Sequence, residues 1–141
     1  MFLFAICGGK TNLINENSIF ERHGNYPVDD IELNEMMAKG CFLSHPATMY
    51  RKNVICKFGG YKKEALHAED YDLWLRVMSN YKVHNIDEVI LLYRQHDKKV
   101  SFNYYPQQLI STFIAQKKFM LTKNNINFML SDGIYSMKHF K

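Results

Sequence analysis

The sequence predicts an α/β fold in which a mixed sheet is flanked by helices, with a helical extension at the C-terminal end. Two observations support this class. Short apolar runs with the composition of strands lie at Phe2–Ile6, Ala47–Tyr50, Lys82–Ile86 and Val89–Arg94. Helical periods of apolar residues begin near Asp29, Glu69 and Pro106. Because strands and helices alternate along the chain, we expect helices packed on a shared sheet.

Composition limits the functional classes. The chain has 141 residues, 47% of them hydrophobic and 23% charged, which is ordinary for one globular domain. A net charge of +4 without a reader motif argues against nucleic acid as a partner. No apolar run is long enough for a transmembrane segment. The three cysteines have no metal-ligand spacing, so we expect reduced, buried thiols and a cytoplasmic location, with attachment to a membrane surface left open.

The first half of the chain carries several local signals. Gly8-Gly9 is expected to end the first strand, and Asn15–Asn17 forms a loop. Asp29 caps a helix that runs to Lys39. His45-Pro46 then sets an extended entry into the Ala47–Tyr50 strand, because proline restrains its own φ and the preceding residue.

The second half continues in the same way. Val54 and Ile55 indicate a short inward-facing helix, and Gly59-Gly60 permits a turn with positive φ that delivers Tyr61. The two later strands have the apolar style of a buried sheet. Pro106 suits the first turn of a long helix, and a short helix is expected at Ile126–Leu130.

The densest cluster of polar chemistry is the run Ala68–Arg76, which contains three carboxylates and the only tryptophan. Read as a helix start, its acids face unpaired N–H groups and the positive end of the dipole. Asp72 and Arg76 are spaced as an i,i+4 ion pair. Asp70 shares a helix face with apolar residues, so partial desolvation makes it a candidate general base. The alternative, that all three acids only begin a helix, stays open on spacing alone.

Four motifs in order resemble a known family. They are His45–Arg51, Phe58–Tyr61, Ala68–Arg76 and Asn85–His96, with Ser101 after them. This order is similar to the C-terminal half of family 2 glycosyltransferases, inverting enzymes with a GT-A fold that use nucleotide sugars. The resemblance covers residues 2–101.

The resemblance implies roles for individual residues. Asp70 matches the second acid of the family's Glu-Asp pair and would be the catalytic base. The implied substrate-binding residues are His45, Tyr61, Glu69 and Arg76, and His96 is a candidate ligand of the metal. Asp70-Tyr71-Asp72 has the form of the metal-binding Asp-x-Asp motif, but its position in the pattern is that of the base.

The resemblance also implies an activity and a division of the chain. Residues 1–103 would be the acceptor-side, catalytic-base half of a GT-A glycosyltransferase domain, and 104–141 a helical extension. The implied substrates are a nucleotide sugar and a glycan or lipid-linked acceptor, in polysaccharide or glycoconjugate biosynthesis. The complete enzyme would use a divalent metal, Mn or Mg, with none bound tightly by this chain alone. A homo-oligomer or a partner chain carrying the donor half is expected. The alternative is a non-catalytic subunit or remnant that docks another glycosyltransferase chain.

Overall fold

The structure is a computed structural model that describes residues 4–96 and 104–123. The strands are β1 (Phe4–Ile14), β2 (Phe20–His23), β3 (Thr48–Tyr50) and β4 (Lys82–Arg94). The helices are α1 (Asp30–Met37), α2 (Lys52–Lys57), α3 (Glu69–Met78) and α4 (Tyr105–Lys123). The predicted α/β class is confirmed, with a four-stranded mixed sheet, flanking helices and a C-terminal helix. Across the described residues, no helix combines the length and apolarity that a membrane crossing requires.

Strand β1 organises the sheet because all three other strands pair with it. Strand β4 runs parallel to it along its whole length, from the Phe4–Lys82 pair to the Ile14–Arg94 pair. Strand β3 pairs antiparallel with its first half and β2 antiparallel with its second half. The last β3 residue, Tyr50, therefore lies directly beside the core strand, which places the preceding His45 segment at the edge of the sheet.

Gly8 and Gly9 do not end β1, as the sequence had suggested, but lie inside it. A Cβ atom on Gly8 would lie 2.2 Å from Asn85 Oδ1 in β4. One on Gly9 would lie 2.5 Å from the end of the Ile90 side chain. The two glycines are thus explained by close packing from the neighbouring strand and not by a turn.

Asn85 is a buried amide that joins three parts of the fold. Its Nδ2 donates to the carbonyl oxygens of Pro27 at 3.0 Å and Phe42 at 2.9 Å. These carbonyls belong to the segments before and after α1, so one side chain in β4 holds both ends of that helical unit. The Asp29 cap is confirmed, since its carboxylate accepts from the N–H groups of Ile31 and Glu32 at 2.9 Å.

Helix α3 is the most buried helix of the fold. The predicted helix and its inward face are confirmed, with Leu73, Trp74 and Val77 each 0% exposed. The Tyr71 hydroxyl donates to the carbonyl of Met37 at the end of α1. Helix α4 adds Ala115 and Phe119 to the same core. The division at residues 103/104 stays a prediction.

Two further expectations about burial are wrong. Cys41 and Cys56 are exposed and Cys7 is half-buried, although all three thiols are free as expected. The two late strands are one strand, and its second half is exposed, with Leu92 60% accessible. The pattern misled because an apolar run does not reveal which face of a sheet is covered. Predictions for Phe2, Ser101 and Ile126–Leu130 lie outside the described residues.

Candidate functional site

Asp70 lies in the first turn of α3, where the sequence places it, and its carboxylate is 28% exposed. One oxygen accepts from the N–H of Tyr71 at 2.7 Å. Burial raises the pKa of Asp70 above its ordinary 3.8, while the Tyr71 N–H and His45 act in the opposite direction. A desolvated carboxylate that still reaches solvent has the environment of a general base.

His45 connects that carboxylate to a phenol. It begins a short 3₁₀ turn, His45–Ala47, that leads into β3. Its Nδ1 lies 3.9 Å from Asp70 Oδ2, and its Nε2 lies 3.0 Å from the Tyr61 hydroxyl. A neutral imidazole that accepts the Tyr61 proton at Nε2 carries its own proton on Nδ1, the nitrogen that faces Asp70. Both ring nitrogens thus have neighbours within the protein.

Tyr61 reaches His45 because of the preceding glycine turn. Gly59 and Gly60 have φ of 78° and 62°, which confirms the predicted positive-φ turn. Burial, then a hydrogen bond with Tyr50 and the nearby carboxylates, raise the pKa of Tyr61 to about 12. The phenol therefore keeps its proton at neutral pH and can donate it to the imidazole.

Trp74 lies one helical turn after Asp70 and is fully buried beneath the site. Its ring centroid is 6.0 Å from that of His45 and 5.9 Å from that of Tyr50. Two buried polar atoms here, Trp74 Nε1 and Glu69 Oε2, have no hydrogen-bond partner in the described part of the chain. Such atoms are rare in folded proteins and concentrate where a ligand or water completes the site.

Arg76 is held by contacts within the protein. Its Nε donates to Asp72 Oδ2 at 2.8 Å, which confirms the predicted i,i+4 pair. Its two remaining nitrogens donate to the carbonyls of Phe58 and, at 2.7 Å, Gly60. Arg76 therefore fastens the glycine turn to α3 and so supports the position of Tyr61. Its predicted contact with substrate stays a prediction.

An open cleft of about 270 Å³ lies beside Asp70, between the start of α3 and helix α4. Its lining includes Cys41, His67, Tyr105, Gln108 and Thr112 in addition to Asp70. The Gln108 side chain donates to the His67 carbonyl at 2.9 Å, and Ser111 donates to the Leu66 carbonyl at 2.9 Å. The predicted concave surface at Asp70 is present. His45 touches Asp70 without lining the cleft, and His96 does not line it either.

Sequence reasoning missed the contribution of α4 to this cleft. The sequence signal was a helical period after Pro106, which locates a helix but not the element it packs on. Tyr105, Gln108 and Thr112 had no motif around them. Their proximity to Asp70 depends on a tertiary contact between α3 and α4.

The described residues do not fit the expected divalent metal. No group of three or more His, Cys, Asp or Glu side chains within 4–96 and 104–123 is arranged to hold a metal ion. His96 is exposed just after β4. Its role as a metal ligand therefore stays a prediction.

Comparison with known proteins supplies a functional context. No protein-family model matches the chain. It is 39% identical over 105 residues to the O-antigen biosynthesis glycosyltransferase WbnJ of Escherichia coli, covering 70% of this chain and 40% of WbnJ. It is 25% identical over 123 residues to the amylovoran biosynthesis glycosyltransferase AmsE of Erwinia amylovora, covering 79% of this chain and 46% of AmsE.

These matches concern a part of each relative, since the chain spans less than half the length of either. A stretch covering 70% of 141 residues necessarily includes His45, Tyr61 and Asp70. The site thus lies within the region of similarity to WbnJ. The chain is a glycosyltransferase-like segment, similar to part of two bacterial glycosyltransferases of polysaccharide biosynthesis.

Proposed function

We propose that the chain is the acceptor-side half of an inverting glycosyltransferase of family 2 type, with Asp70 as its general base. The observation that carries the proposal is the position of Asp70. It is a partly buried carboxylate at a helix start, it opens into a cleft, and burial raises its pKa. The similarity to glycosyltransferases over the same residues supports this choice among acid–base reactions.

The proposed reaction is one displacement at the anomeric carbon of a nucleotide sugar. Asp70 takes the proton of an acceptor hydroxyl as its oxygen forms the new bond to that carbon. The bond from the anomeric carbon to the diphosphate oxygen breaks on the opposite face, and its electron pair leaves with the nucleotide. His45 orients the carboxylate, since its Nδ1 faces Asp70 while Tyr61 holds its Nε2.

The donor half of this reaction is proposed to come from polypeptide beyond the described residues. The described part of the chain offers no metal-ligand cluster, so we derive no step through a metal. A requirement of the complete enzyme for Mn or Mg is part of the proposal. We likewise propose that the isolated chain binds nucleotide sugars weakly, and that it acts in the cytoplasm.

The test is a chimera in which this chain replaces the matching segment of WbnJ, with O-antigen production and initial transfer rates as readouts. In an active chimera, Asp70→Asn should lower turnover by roughly a hundredfold or more, the usual scale for general-base help. Asp87→Asn is the matched control, because Asp87 makes an exposed ion pair with Lys10 on the sheet. An Asp70→Asn chimera as active as its parent would overturn the proposal.

A second candidate function is a docking subunit for another glycosyltransferase chain. One observation favours it: the second half of β4 exposes apolar side chains, at Val89, Ile90 and Leu92. Such a surface fits a homo-oligomer or a chain that carries the donor half. Light scattering on the purified chain distinguishes the cases. A monomer at high concentration with an active chimera would leave the catalytic function alone standing.

A further inference from the structure

The cleft between α3 and α4 has a chemical character of its own. Its lining in the described chain contains no Lys or Arg, and Asp70 is its one acidic residue. A diphosphate needs cations or a row of free N–H groups, so this cleft is unsuited to the leaving group of a nucleotide sugar. Its remaining polar groups are a neutral amide, hydroxyls, a thiol and an imidazole, which suit an uncharged ligand rich in hydroxyl groups.

The size and surface of the cleft point to the same ligand class. At about 270 Å³ it lies just below the roughly 300–1,000 Å³ common for small-molecule sites. That volume suits one sugar ring better than a whole nucleotide sugar. Tyr105 begins α4 with its side chain 60% exposed, and so offers an aromatic ring beside the polar groups.

The cleft is held in shape by α4. His67 has φ of 67°, an uncommon conformation for a residue other than glycine. Two side chains of α4, Gln108 and the buried Ser111, hold the backbone carbonyls of residues 67 and 66. The His67 ring stacks on Tyr104, with centroids 4.3 Å apart and planes 16° from parallel. Neighbouring groups thus hold a strained residue in place three positions before the base.

We propose that this cleft is the subsite for the neutral terminal sugar of the acceptor, which lies between Asp70 on one wall and Tyr105 and Thr112 on the other. The proposal rests on the proposed function for its assignment to the acceptor. The cleft orients one hydroxyl of that sugar toward Asp70, while α4 determines which sugars fit. Residues of α4 thereby become specificity-determining residues of the reaction.

The test maps binding on the isotope-labelled chain by protein NMR, without donor or turnover. The probes are the methyl glycosides of glucose, galactose and N-acetylglucosamine, with glucuronic acid and UDP as charged comparisons. At least one neutral glycoside should shift the amide signals of residues 67–70 and 105–112. Thr112→Val should weaken that binding about fivefold, the value of one neutral hydrogen bond. Tyr105→Ala should weaken it at least as much.

Ile110→Ala is the matched control, because Ile110 is exposed on the same helix and does not line the cleft. It should leave binding unchanged. The subsite is refuted if no neutral glycoside shifts the cleft signals, if UDP or glucuronic acid binds there more tightly, or if all three variants behave alike. Loss of turnover in the Asp70→Asn chimera without sugar binding would refute the subsite alone. Sugar binding with full Asp70→Asn turnover would instead refute the catalytic function.

Discussion

Replacing Arg76 with Ala should remove the strongest polar contact inside the fold. The Asp72 carboxylate is only 6% exposed and the Arg76 side chain 20% exposed, so the pair is shielded from water. Removing one partner of a buried pair costs about 3–5 kcal/mol, because the other charge stays buried without compensation. The loss also frees the carbonyls of Phe58 and Gly60. Since small domains are stable by only about 5–15 kcal/mol, this change should approach the unfolding limit.

The assay is urea unfolding at pH 7, followed by the fluorescence of the single, buried tryptophan, Trp74. Arg76→Lys keeps the charge but lacks the planar fork that reaches three acceptors, so it should lose part of this stability. The control is Arg22→Ala on the exposed strand β2, with an expected change within about 0.5 kcal/mol.

A double variant provides a separate check on the cause. Asp72→Leu combined with Arg76→Met replaces the ion pair with apolar groups of similar length. It should recover much of the stability lost in Arg76→Ala, because no buried charge remains unpaired. If Arg76→Ala costs no more than Arg22→Ala, the pair contributes little and the reasoning fails.

Three further predictions concern the site and its support. Asp70→Asn should raise the thermal midpoint at pH 7: a raised pKa means that the folded state favours the protonated carboxyl, so wild-type stability falls as pH rises through that pKa. The difference should vanish below pH 3.8, and an equal midpoint shift at both pH values would contradict this cause. Asn85→Ala should cost about 2–3 kcal/mol in urea unfolding, since two carbonyls lose their donor, and a cost below that of Arg22→Ala would refute the role of this amide. Tyr61→Phe should move the His45 proton toward Nε2, visible in nitrogen NMR shifts, and an unchanged tautomer would remove Tyr61 from the network.

Local signals accounted for the elements that carry the site. The Asp29 cap, the glycine turn before Tyr61 and the amphipathic helix at Glu69 were all predicted, and each depends on residues within a few positions of one another. Propensity, capping and helical periodicity act over that range. The choice of Asp70 needed more than spacing, because acids at a helix start are common for structural reasons alone.

Contacts between distant segments explain the failures. Gly8 and Gly9 resembled a turn, but their absent side chains make room for Asn85 and Ile90, which lie more than seventy positions later. The second half of β4 resembled a buried strand, because composition does not show which neighbours cover it.

The sequence by itself determined the class of fold, the helix that bears Asp70 and the order of the polar groups around it, because these follow from short-range backbone and side-chain preferences. The tertiary structure decided which groups meet. It placed His45 between Asp70 and Tyr61, directed Arg76 to the backbone of the glycine turn, and brought α4 against the loop at His67. Packing of the whole core sets these distances, and that packing has no local signature in the chain.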